Sequence, residues 1–139
     1  MHPTPGNIAE ELRLVVGQLV RRFRQDRELP LPQFTVLGIL SRSGPATTSQ
    51  LAAVERVRPQ SMAHTIDQLL DAHLVERRAD PVDGRQMLID ISASGAEAMD
   101  AFRTTADAWV EEAVASRLSD AERRTLVQGI ALMRRLVGE

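Results

Sequence analysis

The sequence predicts a mainly helical chain with one small β-hairpin, in the order α-α-α-α-β-β-α-α. Three observations carry this. Apolar residues recur every three or four positions through most of the 139 residues, the period of an amphipathic helix. That period gives way to two short strand-like runs only between Leu74 and Ile91, where Asp83-Gly84 marks a tight hairpin turn. Capping and breaking residues (Asn7, Pro32, Thr47, Pro59, Ser92 and Ser119) divide the helical stretches into six.

In order, Asn7 and Glu10 have capping-box spacing. Ile8, Leu12, Val15, Leu19 and Phe23 then form one face of a helix reaching about Asp26. Val16 and Val20 widen that stripe beyond what one small core needs, which suits a face shared with a second subunit. Prolines 30 and 32 break the chain, and Pro32 suits the first turn of a second helix through Phe34, Leu37 and Leu40 to about Arg42. Gly44 and Pro45 end it. Thr47 with Gln50 opens a third, short helix whose Leu51-Ala-Ala-Val54 run offers a compact face, as a helix-turn-helix requires. Glu55 to Arg58 is the expected turn.

Pro59 opens a fourth helix to about Ala72, and this helix divides by face. Met62, Ile66, Leu69 and Leu70 point inward; Gln60, Ser61, His64, Thr65 and Gln68 are expected outward. Leu74–Arg78 and Gln86–Ile91 read as strands flanking a turn with Arg85 just past its glycine. Ser92 caps a fifth helix carrying Met99, Phe102 and Trp109. Ser119 with Glu122 caps a sixth, carrying Leu126, Ile130, Met133 and Leu136. A symmetric homodimer is the economical way to bury the end helices; Ile8, Leu12, Val16, Leu19, Leu126, Ile130, Met133 and Leu136 are its candidate interface residues.

Composition bounds the functions available. A hydrophobic fraction of 43% and a charged fraction of 26% are those of an ordinary globular protein. There is no long apolar span and no signal-peptide pattern, so no membrane partner is expected and a cytoplasmic location is. Cysteine is absent, which excludes disulfides, thiolate metal sites and thiol redox switches. His2, His64 and His73 lack metal-ligand spacing, and no glycine-rich phosphate loop follows a strand. An enzyme, a metal and a cofactor are all unexpected.

All seventeen basic residues are arginine, yet the net charge is −2, so bulk charge does not argue for nucleic acid. The arrangement of parts does. The outer face of the fourth helix is polar but uncharged, a composition suited to base edges and phosphates rather than to plain solvent. Behind it stands a hairpin tipped by Arg85, placed to enter a narrow minor groove. A helix-turn-helix backed by such a hairpin is a winged helix-turn-helix, a shape that fits duplex DNA. Asp80 and Asp83 then hold the turn and orient Arg85 or Arg78. Candidate DNA-binding residues are Arg58, Pro59, Gln60, Ser61, His64, Thr65 and Gln68 on the helix, and Arg78, Asp83, Gly84 and Arg85 on the wing. Thr47, Thr48, Ser49 and Arg56 are candidates for phosphate contacts.

These residues carry a resemblance. The run Leu51-Ala-Ala, the opening Arg58-Pro59-x-Ser61-Met62, Gln68-Leu-Leu, the strand Leu74-Val-Glu-Arg-Arg, the wing Asp80-Pro-x-Asp-Gly-Arg85, and Ser92 with Gly95 together resemble the MarR family of winged-helix transcriptional regulators, from about Asn7 to Val137. The resemblance implies a homodimer whose first, fifth and sixth helices form a dimerisation region (7–28 and 93–137), with a DNA-binding lobe at 30–92 in a single 1–139 domain. It implies recognition helices in successive major grooves of a pseudo-palindromic operator, wing arginines in the flanking minor grooves, and in many members repression relieved by small aromatic or anionic ligands. Phe34, Leu37, Met99, Phe102 and Trp109 are the candidate pocket residues, although their helical spacing is also that of ordinary core, the preferred reading. Ala63-His64 stands where many members have Thr-Arg, so the operator is not transferable from relatives. The alternative reading is a winged-helix module that binds protein or ligand and no longer binds DNA.

Overall fold

The computed structural model describes residues 2–139 and contains eight elements: α1 (Pro5–Arg24), α2 (Leu31–Ser43), α3 (Thr48–Glu55), α4 (Pro59–Asp71), β1 (Val75–Ala79), β2 (Met87–Ile91), α5 (Ala93–Arg117) and α6 (Asp120–Leu136). The predicted order and class are observed. The chain forms two compact units, residues 1–103 and 104–139.

Local chemistry accounts for the boundaries. α1 begins earlier than Asn7 suggests: Thr4 is the N-cap, its hydroxyl accepts from Asn7 N, and Pro5 opens the helix. Proline's fixed φ and missing N–H suit that first position, so Asn7 lies inside the first turn rather than before it. Capping boxes form at Thr47–Gln50 and at Ser119–Glu122. Glu122 accepts from the Ser119 backbone N–H, and this bond, with the Ser119 hydroxyl, holds its carboxyl below the ordinary value. That support for α6 is present above the ordinary carboxylate pKa and is lost as pH falls through the lowered one. Gly44, at φ 82°, ends α2.

Both helices of the helix-turn-helix stop in the same way. The amide of Val57 reaches back to Ala52 O, and that of Leu74 to Leu69 O. Arg56 and His73 occupy the left-handed position of each stop, at φ 54° and 59°. This is the Schellman arrangement, usually built on glycine.

The core lies in the first unit. Val36, Leu37 and Leu40 of α2 pack with Leu51 of α3, Met62, Ile66 and Leu69 of α4, Val75 and Ile89 of the hairpin, and Met99 of α5. Deleting any of the larger of these side chains costs about 2–5 kcal/mol. Val54 departs from its expected place: it is 63% exposed, and only Leu51 and Ala52 of that run are buried.

The strands pair antiparallel with Val75 opposite Ile91 and Ala79 opposite Met87. A third pairing was not apparent in the sequence. Ala46, just before α3, exchanges both backbone hydrogen bonds with Ile89, at 3.0 and 2.7 Å. The segment leading into the helix-turn-helix is therefore fastened to the middle of the wing.

Where β2 passes into α5, the buried Ser92 makes four bonds, one of them the helical bond in which its carbonyl accepts from Ala96 N at 2.9 Å. Its hydroxyl donates to His73 O at 2.6 Å and accepts from Gly95 N at 3.0 Å, and its amide donates to Leu74 O at 3.0 Å. Gly95 is required by closeness rather than by φ: a Cβ there would collide with the Leu74 carbonyl and sit 2.8 Å from Ile91 Cγ1. Gly95→Ala should lower stability by about 2–4 kcal/mol, combining overpacking with a strained buried hydrogen bond. His73→Gly should raise it by roughly 0.5–1 kcal/mol by relieving a left-handed non-glycine residue. Urea denaturation of the two variants against the parent checks both signs.

Candidate nucleic-acid interface

The polar face of α4 is built by its first turn and its inner stripe. Arg58 is the N-cap, Pro59 opens the helix, and Met62, Ile66 and Leu69 seat it on the core. This leaves Gln60, Ser61, Ala63, His64, Asp67 and Gln68 exposed. Thr65 is a correction. It is only 9% exposed, and its hydroxyl donates back to Ser61 O at 3.2 Å, so it faces inward between Ser61 and the core. At i+3 from Met62 and i−4 from Leu69 it falls on the buried edge of the stripe, and its hydroxyl is satisfied locally.

Two side-chain bonds hold α4 from its flanks. Gln68 accepts from Gln33 Nε2 of α2 at 3.2 Å. Asp67 pairs with Arg77 of β1 at 3.3 Å. Both partners are well exposed in that ion pair, so its energetic worth is under about 1 kcal/mol; its effect is to set where the Arg77 guanidinium lies. Neither Gln33 nor Arg77 was a sequence candidate, because both contacts depend on tertiary proximity.

The wing tip is ordered by its acids. Asp80 Oδ1 accepts from Val82 N at 2.8 Å, and Asp83 Oδ1 accepts from both Arg85 N and Arg85 Nε, at 3.1 and 3.2 Å. The Arg85 side chain is 92% exposed, so it projects into solvent while its base is held. Arg78 is paired with Asp90 of β2 at 3.4 Å, rather than with either turn acid. Gly84 has open space around it. Val82, at 95% exposure, is the most exposed large apolar side chain among the described residues and was not a candidate; its position at the crest of the turn is the only signal for it.

Thr47, Thr48 and Ser49 stand at the start of α3 and share a shallow recess with Gln86 and Met87 of the wing. Arg56 and Arg58 are exposed in the turn between α3 and α4. α4, the turn arginines, the α3 start and the wing tip are thus supplied by one unit, residues 1–103. Among the described residues, no group of three or more His, Cys, Asp or Glu could hold a metal ion, and no helix is long and apolar enough to cross a membrane.

A separate cleft of about 350 Å³ lies among α1, α2 and the first part of α5. Phe34 and Phe102 form an edge-to-face pair with centroids 4.6 Å apart, and Met99 joins them in the wall. Leu37 follows the core reading preferred for it rather than the pocket one: it is fully buried in the core, between Val36 and Leu40, and does not line the cleft. Trp109 belongs to the other unit and is not among the lining residues. The rim is cationic, and none of its charges was a sequence candidate: Arg24, Arg42 and Arg103 stand there, with Val20, Phe23, Thr35 and Gly38 between them. A signal was present at Gly38, four residues before Arg42, where the missing side chain leaves room for the guanidinium.

The candidate dimer residues lie on helices with no buried position. In α1, Ile8, Val16 and Leu19 are exposed and Leu12 is half-buried; in α6, Leu126, Ile130 and Leu136 are exposed and Met133 is half-buried.

Comparison with known proteins gives a consistent picture. Residues 29–87 match the sequence model of the MarR family. An uncharacterized HTH-type transcriptional regulator of Mycobacterium bovis is 39% identical over 142 residues, covering 100% of this chain and 99% of the relative. Among solved structures, a transcriptional regulator protein of Pseudomonas aeruginosa superposes with a TM-score of 0.82 at 29% identity, over 99% of both chains. A mutant of the Staphylococcus aureus protein MepR, bound to an oligodeoxyribonucleotide, shares the fold at a TM-score of 0.68 and 20% identity, over 93% of this chain and 96% of that one.

Proposed function

The chain belongs to the MarR family of HTH-type transcriptional regulators, a family of non-enzymatic DNA-binding proteins, and from that premise we propose that it is a homodimeric repressor of a pseudo-palindromic operator. The observation that carries this reading is the pairing of an uncharged polar face on α4 with an exposed arginine at a wing tip held by Asp83. Gln60, Ser61, His64 and Gln68 read the major groove, and Arg85 enters the adjacent minor groove. Thr47, Thr48, Ser49, Arg56, Arg58 and Arg78 meet phosphates. Residues 30–92 act as the DNA-binding lobe, and 7–28 with 93–137 as the dimerisation region.

The exposed apolar residues of α1 and α6 support dimerisation, because monomers rarely leave several large apolar side chains together in water. Two-fold symmetry then dictates two half-sites about one helical turn apart. A dimer seated across such a site blocks the promoter by occupancy, and this is the basis for repression. The cleft bounded by Phe34, Phe102 and Met99, with Arg24, Arg42 and Arg103 at its rim, supports a small aromatic anion as the releasing ligand: the rings stack its body and guanidinium groups pair its charge.

Selection of bound sites from random duplex DNA tests the central claim; enrichment of no symmetric site would overturn it. On the selected site, Arg85→Ala should weaken binding by about 1–3 kcal/mol, the scale of one good groove contact, with thermal stability unchanged. Anisotropy titrations across a salt series read this directly, since affinity must also fall steeply with salt as counterions are released. Ile130→Asp combined with Leu126→Asp should convert dimer to monomer in sedimentation velocity and abolish operator binding. A double variant that sediments as a dimer would place the interface elsewhere.

A further inference from the structure

Arg77 stands midway along β1, between the end of α4 and the wing tip, and its place on the strand decides which way it faces. Alternate residues of a strand lie on opposite faces of a sheet. Arg77 therefore shares a face with Val75, which is buried in the core, and it is registered opposite the buried Ile89. That is the side toward α4, and the guanidinium reaches Asp67 of that helix, with Nη2 donating to Oδ1 at 3.3 Å. Arg78, one residue on, lies on the other face with its partner Asp90.

Asp67 follows His64 by three residues and Gln60 by seven, which places it on the exposed polar face of α4. An acid there repels phosphates, and Arg77 is the cation that stands against it. Only Nη2 of Arg77 is engaged; its Nε and Nη1 have no partner among the described residues. Both members of the pair are more than half exposed, so the guanidinium can share or exchange its carboxylate at little cost. Its planar fork matches the oxygens of a phosphate.

In a duplex, one sugar–phosphate backbone forms the ridge between a major groove and the neighbouring minor groove. A protein with α4 in the first and Arg85 in the second straddles that ridge, and Arg77 lies in the saddle between them. We propose that Arg77 binds the backbone phosphate at this ridge through its open Nε–Nη1 edge. This rests on the reading of α4 and the wing tip as the DNA-entering parts. The contact is blind to base identity and sets register, as phosphate contacts do.

Anisotropy titrations of the full-length protein on its selected site, across a salt series, carry the first test. Arg77→Gln should lower affinity by about tenfold at low salt and leave base preference unchanged. It should also flatten the log–log salt dependence by roughly two for a dimer, one per protomer. Arg77→Gln should cost the same when Asp67 is already Asn, a background with no acid left to offset. Arg77→Lys keeps the charge and should keep the slope.

Duplexes with single phosphates replaced by neutral methylphosphonates locate the contact. Substitution at the ridge between the bases contacted by α4 and the flanking minor groove should weaken binding of the parent and of Arg78→Gln alike. In Arg77→Gln the same substitution should change little. If Arg77→Gln costs nothing in the Asp67→Asn background, Arg77 only offsets Asp67 and the proposal is overturned. Equal losses for Arg77→Gln and the parent on every methylphosphonate duplex would overturn it too. If the parent selects no site, the DNA-reading function falls as well, an outcome distinct from either of these. Arg77→Lys supplies a second variant for both measurements should Arg77→Gln fold poorly.

Discussion

Ser92 is the residue on which the geometry of the DNA-facing unit depends. Its hydroxyl and amide join the stop of α4, the start of β1 and the first turn of α5 within a few ångströms. The buried Gly95 amide would otherwise lack a partner, at a cost of about 1–3 kcal/mol. Gly95 makes the arrangement fit, because only a residue without a side chain lets α5 approach the Leu74 carbonyl. This junction ties the end of α4 to the start of β1 and to α5.

The electrostatics are local rather than global. A net charge of −2 gives no long-range attraction to DNA, and several arginines near the surface are paired with acids. Asp83 holds Arg85, Asp90 holds Arg78 and Asp67 holds Arg77. Exposed pairs of this kind contribute little to stability. What they supply is position: each restricts a long side chain whose free rotation would otherwise be lost only on binding. Acids that look unfavourable beside phosphates are the reason that the arginines point where they do.

Most of the fold was legible because it is written in short-range signals. The capping boxes at Thr47 and Ser119, the proline-opened α4 and the Asp-Gly hairpin each specify local structure within four residues. The misreadings share a cause. Thr65 is polar, and polarity suggested an outward face, but its hydroxyl is satisfied by Ser61 O and the residue is buried. Val54 is apolar and lies outside. The arginines that line the cleft carried no periodic pattern. The bridge from Ala46 to Ile89 and the bond from Gln33 to Gln68 join residues distant in sequence, and no local pattern reports such contacts.

The Ala46–Ile89 bridge bears on how the lobe is assembled in time. It closes a loop that contains the whole of α3, α4 and β1, so its formation carries the closure entropy of that long loop unless those elements have already come together. The Ile89 amide is thereby sealed inside a pairing that neither the hairpin nor the helices can make alone. Breaking it separates the middle of β2 from the segment that leads into α3, an opening distinct from fraying at the ends of the hairpin. Protection at the Ile89 backbone hydrogen therefore reports whether the wing is docked on the segment that leads into α3.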